Sequence, residues 1–184
     1  MPPNPRRDFL RTMLAFVASS SVPAQAHAQT ECRPGRPTPE QTEGPYYTRD
    51  TPRKASFRAD ARGEPIVLEG SVLGSGCRPV AGAWLDFWHA DAAGEYDNRG
   101  YRLRGHLFAD AEGRYRLETL LPGIYPGRAR HIHVKVAAPD RSRILTTQVY
   151  FPDDPGNARD GLYRPELLLR RAGSALRFDF VISA

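Results

Sequence analysis

Between Ile66 and Ile182, apolar residues recur at every second position in short runs, and turn-forming residues close each run. That period sends alternate side chains to opposite faces of an extended strand, so each run can bury one face in a sheet. Ile66–Leu73 is followed by Gly74-Ser-Gly76, and Ala83, Leu85 and Phe87 alternate with Trp84, Asp86 and Trp88. Tyr101–Phe108 and Arg114–Leu120 flank the hairpin-like turn Asp110-Ala-Glu-Gly113; Arg130–Ala137 and Leu145–Phe151 come next. Leu176, Phe178, Phe180 and Ile182 close the series, and a short helix or turn fits near Pro165–Arg170. About seven or more short strands with regular turns predict an all-β fold, an antiparallel β-sandwich with long functional loops.

The chain before this region divides in two. Residues 1–28 carry Arg6-Arg7, the apolar run Met13–Ala18 and Ala26-His-Ala28. A charged start, a short apolar stretch and an A-x-A site make an export signal. The run is too short to span a bilayer. Paired arginines followed by Phe9-Leu10 point to the twin-arginine route, with Pro5 a departure and an ordinary secretory signal the alternative. The expected location is therefore periplasmic or secreted. Residues 29–63 are rich in Pro, Arg and Thr and read as an extended arm; residues 64–184 form the sandwich domain. In an oxidising compartment the two cysteines, Cys32 and Cys77, can form one bridge that pins the arm, the alternative being two free thiols. The formal net charge of +5 falls to about +3 without the leader, too modest and too scattered for a nucleic-acid partner.

The chemistry concentrates in Tyr125-Pro-Gly-Arg128-Ala-Arg-His131-Ile-His133. On a strand His131 and His133 share one face, with Ile132, Val134 and Val136 on the other, so two imidazoles can reach one metal. Tyr96, in Gly94-Glu-Tyr-Asp97, is a further candidate ligand. Taken singly, these residues also fit core positions or surface aromatics. Arg128 is one of 26 basic residues, only two of them Lys, and Arg130 is a weaker candidate beside it. His89 and His106 have no partner at ligand spacing and read as polar surface groups or as neighbours of the ligands.

The order Tyr, Tyr, Arg, His-x-His resembles the intradiol ring-cleavage dioxygenases, the family of protocatechuate 3,4-dioxygenase and catechol 1,2-dioxygenase. Further blocks carry the resemblance from about Thr42 to Ile182: Gln41–Tyr47, Asp86–Asp91, Leu103-Arg-Gly105, Asp110–Arg114, Leu121–Arg128 and Thr147–Phe151. The resemblance implies non-haem Fe(III) held by Tyr96, Tyr125, His131 and His133, with Tyr125 and His133 axial. It implies that Tyr125 leaves the iron during turnover, that Arg128 and Gln148 act beside the substrate, and that Trp88 lines the site. It places Tyr46 or Tyr47 near the substrate. Gly127 stands where protocatechuate dioxygenase keeps a bulky aromatic, and the helical N-terminal domain of catechol 1,2-dioxygenases is missing, so the preferred catechol stays open. The implied reaction joins a catechol-type diol and O2 into a cis,cis-muconate-type diacid. The ligand set within one chain does not require a second subunit and leaves room for a homo-oligomer.

Two other readings compete. One is a secreted sandwich that binds without catalysing, since fold does not dictate function. The other is a zinc hydrolase at His131 and His133; no Asp or Glu lies beside the histidines, and zinc rarely takes tyrosine.

Overall fold

The protein is described over residues 32–183 of a computed structural model. The export signal lies outside those residues. Nine strands occur there: β1 (Pro65–Gly74), β2 (Trp84–Trp88), β3 (Arg104–Phe108), β4 (Arg114–Leu120), β5 (His131–Ala137), β6 (Ile144–Tyr150), β7 (Arg170–Ala172), β8 (Ala175–Arg177) and β9 (Phe180–Ile182). A 3-10 turn at Pro165–Leu167 falls where a short helix or turn is expected. Among the described residues no helix is long and apolar enough to cross a membrane.

The strands form two sheets. One runs β4-β1-β8-β7, with β9 also pairing β1; the other runs β3-β2-β5-β6. The core lies between them, with Leu68, Val72, Leu85, Phe87, Leu117, Ile132, Val134 and Val136 each fully buried. Most pairings are antiparallel, as expected, but β8 and β9 run parallel to β1. The single closing strand expected over residues 176–182 is broken for a local reason. Gly70 leaves room for the Phe178 carbonyl, which would lie 1.7 Å from any Cβ placed there. Ser71 N–H then donates to Asp179 Oδ1 (2.8 Å) instead of to a neighbouring strand. Likewise the strand expected from Tyr101 begins only at Arg104, because Leu103 takes φ +54°, outside the extended region.

Among the described residues the arm carries only isolated bridges, yet it closes both edges of the four-stranded sheet. Gln41 N–H donates to Thr146 O on β6, and Lys54 N–H donates to His106 O on β3. Unpaired sheet edges invite association with other chains, and here the molecule covers its own. Between those two edges the arm crosses the outer face of the sheet. Cys32 and Cys77 are joined, which fixes the arm's start. Phe57, near its end, is fully buried in the core, so the arm also supplies core packing.

Candidate metal centre

The outer face of the four-stranded sheet is where alternation places the polar residues. One row of neighbours crosses all four strands: Arg104, Trp88, His133 and Gln148. All four are buried, at 1%, 1%, 3% and 0% exposure. His131 lies two residue pairs further along on the same face, opposite Tyr150. Two loops add the phenols. Tyr96 follows Gly94, whose φ is +85° and whose missing Cβ lets the Ile124 carbonyl approach. That contact seats the Tyr96 loop directly against the Tyr125 turn.

The polar atoms converge. His131 Nε2 and His133 Nε2 are 3.2 Å apart, and Tyr96 Oη is 3.2 Å from His131 Nε2. Tyr125 Oη is bonded to Tyr46 Oη at 2.8 Å, and the Tyr46 ring stacks on Tyr96 with centroids 4.4 Å apart. Trp88 stacks on His133 with planes 9° apart, shielding it from water. His131 Nδ1 lies 2.6 Å from the Ala129 carbonyl. A carbonyl only accepts, so Nδ1 must carry the proton and Nε2 presents its lone pair to the site.

Charge states follow from burial. Desolvation lowers His131 to about 4 and holds His133 well below the usual imidazole range, so both are neutral at pH 7. Desolvation pushes the Tyr96 phenol up, opposed by the Arg128 and Arg104 guanidiniums. Only a stronger nearby charge, such as a bound cation, would make Tyr96 a phenolate at neutral pH.

Two neutral imidazoles and two phenols suit a hard, highly charged cation. No group of three His, Cys, Asp or Glu residues that could hold a metal occurs among the described residues, which leaves the tyrosines to complete any ligand set. The donors present therefore fit Fe(III) better than zinc.

Arg128 Nη2 donates to Gln148 Oε1 (2.6 Å), and its Nε donates to Asp160 Oδ2 (2.9 Å). Gln148 Nε2 donates to the Thr42 carbonyl of the arm (3.0 Å). Asp160 is not apparent as a site residue from sequence, since it lies 32 positions from Arg128 with no motif around it. Tyr150 also escapes sequence reasoning; its hydroxyl accepts from Arg128 Nη2 (3.3 Å) and stands 2.9 Å from Gln41 Oε1. Its i+2 spacing from Gln148 was the available signal.

The other candidates divide. Tyr46 faces the donors, whereas the Tyr47 hydroxyl donates to Asp86 (3.0 Å) and its ring packs on Trp88 (4.8 Å), one aromatic layer away. Gly127 sits on an exposed turn at φ +80° with nothing within 4 Å of a Cβ there. Arg130 turns away, to the Pro122 carbonyl and Asp154. His106 shares a hydrogen bond with Thr51. His89 is no surface group: it is 1% exposed and bonded to Thr119 Oγ1 (2.6 Å) on the core side.

A family model described as "Dioxygenase" matches residues 42–181. The protocatechuate 3,4-dioxygenase beta chain of Burkholderia cepacia is 34% identical over 149 residues, 71% of this chain and 63% of that one. Catechol 1,2-dioxygenase 1 of Acinetobacter lwoffii is 30% identical over 175 residues, 76% of this chain and 56% of that one. The chain thus spans only about 56–63% of the length of these two relatives. Among solved structures, the dioxygenase domain of a dioxygenase–carbohydrate-binding protein fusion from Streptomyces sp. SirexAA-E superposes with TM-score 0.75 at 48% identity, covering 80% of this chain and 99% of that one.

Proposed function

Because this chain belongs to the intradiol ring-cleavage dioxygenase family, we propose that it cleaves a catechol-type diol between its two hydroxyl-bearing carbons, using O2. Both oxygen atoms enter the product, a cis,cis-muconate-type diacid. The reading is carried by one observation, the convergence of Tyr96 Oη, His131 Nε2 and His133 Nε2, with Tyr125 joined to them by Tyr46, whose hydroxyl bonds Tyr125 and whose ring stacks on Tyr96. Tyr96, Tyr125, His131 and His133 would hold Fe(III). Bound there, the iron would supply Lewis acidity and a template for the chelated diol.

The chain's own groups do the rest. The Ala129 carbonyl fixes the His131 tautomer and ring orientation. With the cation bound, Tyr125 would be present as the phenolate, whose Oη would accept one catechol proton with Tyr46 Oη as its hydrogen-bond partner. Arg128, held by Asp160 and Gln148, presents a fixed positive charge beside negative charge developing on the ring. Trp88 excludes water behind His133.

Export belongs to the same proposal, and the Cys32–Cys77 bridge suits an oxidising compartment. The decisive experiment is the visible spectrum of the ferric-loaded protein, with and without anaerobic catechol. A tyrosinate charge-transfer band that shifts with catechol and weakens in Tyr96→Phe is expected. A protein that stays colourless after ferric loading would leave the non-catalytic binding module as the better reading.

A further inference from the structure

Arg104 is among the largest fully buried side chains, at 1% exposure. Burying a guanidinium is costly unless its donors are satisfied. Among the described residues it makes no ion pair; its acceptors are neutral. Its Nε donates to the Asp97 carbonyl (2.8 Å), its Nη1 donates to the Tyr46 carbonyl, and its Nη2 reaches Asn98 Oδ1 (3.4 Å).

Those acceptors lie on two separate segments, one carrying Tyr46 and the other Tyr96. Asp97 already closes its own loop, accepting the Arg99, Gly100 and Arg102 N–H groups. Arg104 joins that closed loop to the arm. Leu103, immediately before it, is held at φ +54° while 1% exposed, with its N–H donating to Asp60 Oδ2 (2.7 Å). A buried non-glycine residue in that region is strained, and such strain persists only where its surroundings impose it. Here it aims the Arg104 side chain along the row shared with Trp88 and His133.

We infer that Arg104 is a positioning residue that clamps the arm to the Tyr96 loop, so that Tyr46 lies on Tyr96 and bonds Tyr125. A lysine in its place keeps the charge but loses the fork that can reach two segments at once. The catalytic half of this inference rests on the dioxygenase reading; the structural half does not.

Two measurements on the full chain test it. In metal-free protein, backbone hydrogen exchange is compared between wild type and Arg104→Lys. The clamp requires exchange to rise on the order of tenfold in residues 44–50 and 97–102 while β5 and β6 are unchanged, the loss of one charge-assisted hydrogen bond or more. Unchanged exchange, or a rise spread through the strands, would overturn it. In iron-loaded protein, Arg104→Lys, Tyr46→Phe and the double variant are assayed for kcat and KM on catechol. If Arg104 acts through Tyr46, the double variant is no worse than the poorer single variant; losses that multiply would overturn the coupling. A wild-type protein that cleaves no catechol sinks the dioxygenase reading, and the exchange experiment alone then decides the clamp.

Discussion

Leu85, Phe87, Ile132, Val134 and Val136 point from β2 and β5 into the sandwich, while Asp86, Trp88, His131, His133 and Lys135 alternate with them and point under the arm. Burial hardly separates the two faces: Phe87 and Val134 are 0% exposed, His131 and His133 only 4% and 3%. What differs is the covering layer. The inner face meets a second apolar sheet, whereas the outer face meets an arm that brings carbonyls, phenols and amides. Two-sided burial of a strand therefore need not mean two-sided core. An arm lets a small sandwich keep a dry polar surface on a rigid sheet, which is what a preorganised site requires.

The two faces would cease to differ if the outer face proved to be ordinary core. His133→Ala should lower catechol turnover by about 10,000-fold or more, roughly 5.5 kcal/mol of barrier, and abolish stoichiometric iron binding. The thermal midpoint of the metal-free protein should stay within a few degrees, because the inner face is untouched. A variant that loses its fold along with its iron would erase the distinction. The reciprocal change is Phe87→Ala, which removes a fully buried ring from the inner face. It should cost about 3–5 kcal/mol in urea unfolding while turnover per folded molecule is retained. Loss of turnover in the folded fraction would mean that the two faces are coupled.

Much of this was legible in sequence. The period of two fixed which residues share a face, and the His131–His133 spacing followed from it directly. The resemblance supplied Tyr96, Tyr125, Arg128 and Gln148, and the structure brings these together. What stayed hidden depends on long-range packing. Asp160 reaches Arg128 across 32 positions, and Arg104 acts by joining two segments 51 residues apart at Tyr46 and Asp97. No local pattern encodes such contacts. The split of the last strand turned on Gly70 and the Asp179 carboxylate, features visible only once β1 has its parallel partners.

His89 is the exception on the inner side, and it offers the smallest and most discriminating test. It follows Phe87 by two positions, is fully enclosed near Phe57, and bonds the Ala90 carbonyl and Thr119 Oγ1. Desolvation lowers it to about 4. The unfolded chain binds a proton at about 6.5, the folded chain only near 4, so between these values the unfolded state holds more protons. Its neutral form therefore supports the fold above about pH 6.5, and that support is lost as pH falls toward 4. The loss approaches about 1.4 kcal/mol for each pH unit within that window. Urea unfolding of metal-free wild type and His89→Gln at stepped pH reads this contribution together with the mutual repulsion of His89 with His131 and His133, which acts in the same direction. The wild type should lose stability faster on acidification than the variant. Parallel curves would mean that His89 shares the tolerance of an exposed group, and that the inner face is less dry than its apolar neighbours require.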